Sequence, residues 1–357
     1  MPSSADIGKF LLVGFEGTSV PADLRALVRE DGVAGVVLFQ RNVESLVQLI
    51  GLVGELRALR RSPLLVAIDH EGGRGSRVRD LPFTRLPAFR ALGRIGDAAS
   101  ARQWGTLVAR ELLAAGIDWD FAPVMDVDSN PANPIIGDRA LSSDPAEVAR
   151  LGVEVIRGMR EAGLLTCAKH FPGHGDTAQD SHLALPAVDR PRASLERVEL
   201  PPFRAAVEAG VDAVMTAHVV YVALDPAVPA TLSPGILGIV RDQWGFDGAI
   251  ASDDLEMAAI AEKLSPGESA VLAARAGCDL LLACRHADRQ REMLDHLRRA
   301  AENGFLAPER VARSLLRVET LQLAAACRTP DLAQARRVLG CAEHQRLRER
   351  MEEALRA

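Results

Sequence analysis

The stretch DPAEVARLGVEVIRGMREAGLLTCAKHFPGHGDTAQDSH, residues 144–182, carries the pattern that decides the fold. Asp144-Pro145 is a helix start, because Asp accepts from the first free N–H groups and Pro needs no N–H at that position. Residues 145–162 read as an amphipathic helix, 164–169 (LLTCAK) as a short strand, and the remainder as a polar loop. The same order repeats on both sides. Short apolar runs predict strands at 9–15, 33–39, 64–69, 117–121, 164–169, 212–217, 248–252 and 278–284. Amphipathic stretches predict helices at 21–30, 43–60, 98–115, 145–162, 194–209, 234–243, 267–276 and 288–303. Strands alternating with helices imply right-handed βαβ units and a parallel sheet. Eight units in a row are the count for a closed (β/α)8 barrel, an α/β fold of the TIM type. After residue 305 the alternation stops, and 308–326 and 331–355 predict two further helices with Pro330 between them. The expectation is one domain over 1–357, a barrel at about 5–305 with a helical extension at about 306–357 packed on it.

Composition narrows the function classes. The net charge is −6 with no block of like charges, which recommends neither nucleic acid nor an anionic membrane as a partner. Ten Phe, three Trp and one Tyr are too few for base-stacking platforms. Five cysteines, Cys167, Cys278, Cys284, Cys327 and Cys341, form an odd set without a C-x-x-C pair. Cys278 and Cys284 would stand about 20 Å apart on an extended strand, too far for a bridge. Reduced thiols in the cytoplasm are expected. The start, MPSSADIGKFLLVGFEG, lacks the basic region of a signal peptide and reads as leading into a first strand. No run approaches the ~18 apolar residues of a membrane span.

In such a barrel the reactive groups project from the C-terminal strand ends and the loops that follow. Polar residues gather there: Asp69-His70-Glu71, Asp120 and Asp126, Lys169-His170, His218, Asp253-Asp254 and Arg285-His286. The loop KHFPGHGDTAQDSH (169–182) is the richest, with three His, two Asp and one Lys. Two chemistries compete for it, beside a plain solvated loop. His170, His174, Asp176, Asp180 and His182 could ligate a metal. Alternatively Asp180 and His182, two apart in extended chain, share one side, and the carboxylate can orient the ring for proton transfer. The strand end GAIASDDLEM (248–257) offers a carboxylate nucleophile, but Asp253 with Glu256 equally fits a D-x-x-E helix cap. Adjacent strand residues point opposite ways, so one of Asp253 and Asp254 is expected to face the cavity. Turn formation alone accounts for Gly72 and Gly73 in IDHEGGRGSR (68–77), and a solvated loop for IGDRALSSDP (136–145).

Together these segments resemble glycoside hydrolase family 3, in particular its single-domain bacterial β-N-acetylglucosaminidases. The resemblance rests on IDHEGGR (68–74), DFAPVMDVD (120–128), GDRALSSDP (137–145), KHFPGHGDTAQDSH (169–182), SDDLEM (252–257) and AGCDLLL (276–282), in order over about residues 5–305. It implies a (β/α)8 barrel and a retaining exo-glycosidase without cofactor or metal. Asp253 would be the nucleophile, and His182 the general acid/base with Asp180 as its partner. Asp69, Arg77, Arg139, Lys169 and His170 would hold a terminal N-acetylglucosamine. The implied substrate is a small carbohydrate or muropeptide from peptidoglycan recycling, handled by a cytoplasmic monomer. His70 stands where the family often has Gln, and Gly75 where it has a bulky residue.

Glycoside cleavage needs one group to protonate the leaving oxygen and a carboxylate across the anomeric carbon, and an Asp–His pair can replace the usual acid. A phosphorylase or another β-glycosidase on the same scaffold is the enzymatic alternative. A metal-dependent hydrolase built on the His/Asp loop and a non-catalytic sugar-binding barrel are the others. Scarce aromatics fit a pocket that holds one sugar by hydrogen bonds better than a long cleft paved with Trp and Tyr.

Overall fold

The computed structural model describes residues 4–177 and 185–356. Eight parallel strands form its centre: β1 (Leu11–Val13), β2 (Gly35–Leu38), β3 (Leu65–Ile68), β4 (Trp119–Asp120), β5 (Cys167–Phe171), β6 (Ala213–Thr216), β7 (Ala249–Asp254) and β8 (Leu280–Ala283). β1 pairs with both β2 and β8, so the ends of the series meet. Between β4 and β5 the seam is carried by parallel bridges at Trp119–Leu165 and Val124–Lys169. All eight strands lie where the apolar runs put them, and the sheet is nearly closed as a barrel.

Alternation along each strand divides the apolar residues into two packed layers. Leu12, Val37, Leu65, Ala67, Trp119, Cys167, Met215, Ala251 and Leu282 point inward and fill the barrel. Leu11, Val13, Val36, Leu38, Val66 and Ile68 point outward into the layer beneath the helices. A strand buried on both faces must be apolar throughout, which is why these strands read as continuous runs.

Three predicted helices are broken. The stretch 194–209 is two helices, Arg192–Leu195 and Leu200–Glu208, the second entered through Pro201 and Pro202. The stretch 234–243 changes at Ile239 from α-helix to a π-turn. The stretch 331–355 divides into Leu332–Val338 and Ala342–Arg356 around Gly340, whose φ of 59° ends the first. Short helices at Ser4–Gly8 and Phe89–Ile95 fall outside the sequence expectation. No helix among the described residues is long and apolar enough to cross a membrane.

Helix Pro308–Ala324 covers the N-terminal end of the barrel. Val318 and Leu321 join the inward-facing strand residues in one buried cluster. Gln322 donates through Nε2 to the carbonyls of Ala34 (2.9 Å) and Pro63 (3.1 Å), just before β2 and β3. Asp279, immediately before β8 and fully buried, accepts from Arg310 (3.0 Å), Ser314 (2.6 Å), Arg241 (2.6 Å) and the Ile250 N–H (3.0 Å). Removing that carboxylate leaves buried guanidinium charge uncompensated, which costs about 3–5 kcal/mol. Asp279→Ala is therefore expected to lower the free energy of unfolding in urea by that amount, and a loss below about 1 kcal/mol would contradict the account.

Candidate active site

At the opposite end of the barrel a cavity of about 410 Å³ opens among the C-terminal strand ends. Asp69, Arg77, Arg139, Lys169, His170 and Asp253, six of the eight residues singled out from the sequence, all line it. Asp180 and His182 lie outside the described residues. The lining includes Arg74, Arg77, Arg139 and Lys169 as cations and Asp69, Glu71, Asp253 and Asp254 as carboxylates. Cations and carboxylates alternate along the wall, which suits a neutral, hydroxyl-rich ligand better than an ion.

Lys169, in the middle of β5, reaches across to Asp69 Oδ1 (2.6 Å) and Glu71 Oε1 (2.5 Å). Arg139 grips Glu71 with two parallel bonds, Nε to Oε2 and Nη2 to Oε1, both 2.8 Å. Arg77 approaches Asp69 Oδ2 at 3.2 Å. Burial alone would raise the pKa of Glu71, but the Arg139 and Lys169 charges outweigh it and hold the carboxyl far below its ordinary value. Asp69 is lowered for the same reason, burial being outweighed by Lys169 and Arg77. Lys169 is buried too, yet its two carboxylate partners raise its pKa. Asp69, Glu71, Arg139 and Lys169 are thus held charged at neutral pH.

Glu71 is the functional residue that sequence reading passed over. It stood inside a quoted motif, but nothing in the spacing revealed that its carboxylate lies 2% exposed between two cations. Gly75 makes the placement possible: a Cβ there would stand 2.6 Å from Glu71 Oε2. Any side chain at this position would crowd the carboxylate as it is set in this chain.

Asp126 is the second such residue. It follows β4, is fully buried, and accepts from the backbone N–H of His170 (3.1 Å) and His174 (2.6 Å) and from His170 Nδ1 (2.7 Å). One carboxylate thereby fixes the second half of β5 and the start of the loop after it; the Lys169–His170 peptide within the strand and the Phe171–Pro172 peptide at its end are both cis. Burial would raise Asp126, but His170 and His174 bring it below the ordinary carboxylate value. His174 hydrogen-bonds Thr177 through Nδ1 (2.9 Å), and burial lowers its pKa to about 4, so the ring is neutral. Asp176 pairs with Arg190 (2.6 and 3.0 Å). His170, His174 and Asp176, three of the candidate metal ligands, are thus each engaged by a protein partner. His70 turns to the far side of its loop and meets Ser76 through Nδ1 (2.8 Å).

At the end of β7 both carboxylates line the cavity, where alternation led us to expect one. Asp254 Oδ1 accepts from the N–H of Glu256 (3.0 Å) and of Cys284 (3.2 Å), which bends the strand end and keeps Asp254 at the wall. Burial pushes its pKa up to about 7. Asp253 Oδ1 accepts the Asp254 N–H at 2.8 Å. The helix-capping reading of Asp253 and Glu256 fails: helix Ala258–Ala261 begins after Met257 without a side-chain cap. Glu256 instead binds the turn after β8.

The charge-pairing at Glu71 has two measurable consequences. Its carboxyl is held below the ordinary value of 4.5, so the pairing stabilises the fold fully above that pH and the contribution is lost as pH falls through and below it. Glu71→Gln should therefore flatten the acid limb of a urea-midpoint-against-pH curve relative to the parent. The same change frees Arg139 and Lys169 to move and should lower kcat/KM about tenfold to a hundredfold at neutral pH. An unchanged acid limb together with parental kcat/KM would refute the assignment.

Three comparisons with known proteins identify the family and the fold. Residues 5–321 match the glycosyl hydrolase family 3 N-terminal domain. A beta-hexosaminidase of Alkalilimnicola ehrlichii is 45% identical over 294 residues, spanning 80% of this chain and 84% of the relative. Another, of Idiomarina loihiensis, is 38% identical over 333 residues, spanning 92% and 99%. Among solved structures, a glycoside hydrolase family 3 beta-N-acetylglucosaminidase from Paenibacillus superposes with a TM-score of 0.91 at 40% identity, over 99% of this chain and 69% of that one. NagZ from Neisseria gonorrhoeae gives 0.79 at 33% identity, over 96% and 97%. With a family match over nearly nine-tenths of its length and relatives of this similarity, the chain belongs to glycosyl hydrolase family 3 and is a glycoside hydrolase.

Proposed function

We propose that the protein is a retaining exo-β-N-acetylglucosaminidase that removes terminal N-acetylglucosamine from peptidoglycan-derived fragments in the cytoplasm. The observation that carries this reading is the convergence of Asp69, Glu71, Arg77, Arg139 and Lys169 on the cavity into which Asp253 opens. Such a charge-balanced set of donors and acceptors can bind the hydroxyls and amide of one sugar through charge-assisted hydrogen bonds. The names of the relatives, beta-hexosaminidase and beta-N-acetylglucosaminidase, support the sugar. All five cysteines are unpaired, which supports a reducing compartment.

In this reading Asp253 attacks the anomeric carbon and forms a covalent glycosyl-enzyme. Asp254, its carboxyl near half-protonation at neutral pH, is the poorer nucleophile of the two. His182, oriented by Asp180, protonates the departing oxygen. It then takes a proton from the water that releases the sugar, as microscopic reversibility requires. Asp69, Arg77, Arg139, Lys169 and His170 hold the sugar, and Glu71 and Asp126 hold three of those five, Arg139, Lys169 and His170, in turn. The barrel and its helical extension act as one domain.

The test is turnover of 4-nitrophenyl β-N-acetylglucosaminide by the parent, Asp253→Ala and His182→Ala. Asp253→Ala should show no measurable turnover, and near-parental activity would refute the mechanism. His182→Ala should lose about 10²–10⁴-fold on a glycoside with a poor leaving group and less on the nitrophenyl substrate, which departs without a proton.

A further inference from the structure

Beside the sugar cavity, and sharing Asp254 and Met257 with it, lies a second depression of about 500 Å³. Its walls are the turn after β7 and the turn after β8, with Arg285, His286 and Arg289 on one side and Glu262 on the other. Glu256 lies buried between the two turns. It accepts the N–H groups of Arg285 (2.5 Å) and His286 (3.2 Å) and meets His286 Nδ1 at 2.6 Å. The acid is consumed in shaping the turn, and the basic side chains are left facing outward: the side chains of Arg285, His286 and Arg289 are 58%, 47% and 39% exposed.

These three are not equivalent. Arg285 is held by Glu16 at 2.6 Å, and His286 by Glu256. Arg289 meets Glu256 only in a long ion pair at 4.0 Å, and its side chain makes no hydrogen bond among the described residues. A guanidinium with five donors and a flat fork, half-exposed and held only by that one long ion pair, is matched by a carboxylate. Met257, nearly buried, supplies an apolar surface between it and Asp254.

We propose that this depression is the leaving-group subsite and that it selects aglycones bearing a carboxylate, with Arg289 as the residue that receives it. The inference rests on the glycosidase reading of the neighbouring cavity and deepens it. The charge-balanced cavity takes a neutral sugar, and the depression next to it takes the acidic part of the same substrate. Pairing of this kind, formed at an exposed site, is modest in strength and weakened by salt.

The experiment compares two aryl β-N-acetylglucosaminides of similar leaving-group acidity, one with a 4-(carboxymethyl)phenyl and one with a 4-(carbamoylmethyl)phenyl aglycone. The parent should have the higher kcat/KM on the carboxylate substrate. Arg289→Ala should lower that value about fivefold and leave the amide substrate unchanged, and added salt should shrink the parent's preference in the same way. An Arg289→Lys variant should recover part of the preference, because the charge returns without the fork. Equal kcat/KM on the two substrates in the parent, or an equal loss on both in Arg289→Ala, would overturn the subsite. A parent inert on both substrates would overturn the glycosidase reading itself, so the two failures are distinguishable.

Discussion

Glu71 is a carboxylate out of reach of water, gripped by both donors of Arg139 and by Lys169. Isolated, such a charge would be expensive to bury; removing one partner from a buried pair costs about 3–5 kcal/mol. The arrangement joins three parts of the chain that are distant in sequence: the loop after β3, the turn at 137–139 and β5 itself. Each brings its own contribution to the cavity, Asp69 and Arg77 from the first, Arg139 from the second, Lys169 and His170 from the third. A buried ion pair is weak grounds for claiming stability. Here it serves geometry, because cations held rigidly by an internal carboxylate meet a neutral ligand with little reorganisation.

Asp126 repeats the device one strand further on. Its two oxygens take two backbone N–H groups and one imidazole, so the entry to the loop after β5 is set by a single side chain from the end of β4. The cavity is therefore organised by two buried acids, Glu71 within its lining and Asp126 behind it. Gly75, at the top, leaves the space that Glu71 needs.

Much of the architecture was legible in the linear chain. Strands buried on both faces must be apolar, so β1 to β8 stood out as short runs, and helices wrapped around them had to be amphipathic. Asp69, Lys169, His170 and Asp253 stood out because barrel chemistry sits at strand ends, whereas Arg77 and Arg139 were singled out only by the resemblance to the family. Glu71 and Asp126 were on those same strand ends but carried no distinguishing mark. A carboxylate that binds substrate and one that binds the enzyme's own cations read alike until their partners, 68 residues away for Arg139 and 44 for His170, are placed in space. The breaks in the helices at 192–208 and 332–356 were hidden for a related reason. Amphipathic periodicity continues through a bend as long as both halves face the same core.

The helix at Pro308–Ala324 adds a consequence in time rather than space. Its contacts with Ala34 and Pro63 span 288 and 259 residues, among the longest-range in the fold. Every strand is made before the segment that closes the barrel's lower mouth. During synthesis the eight-stranded sheet must wait, with Leu12, Leu65, Trp119 and their neighbours open at one end, until Val318 and Leu321 arrive. Contacts of such high order form slowly and leave apolar surface exposed meanwhile. The same helix that makes the finished barrel watertight is thus what makes the unfinished one vulnerable to aggregation.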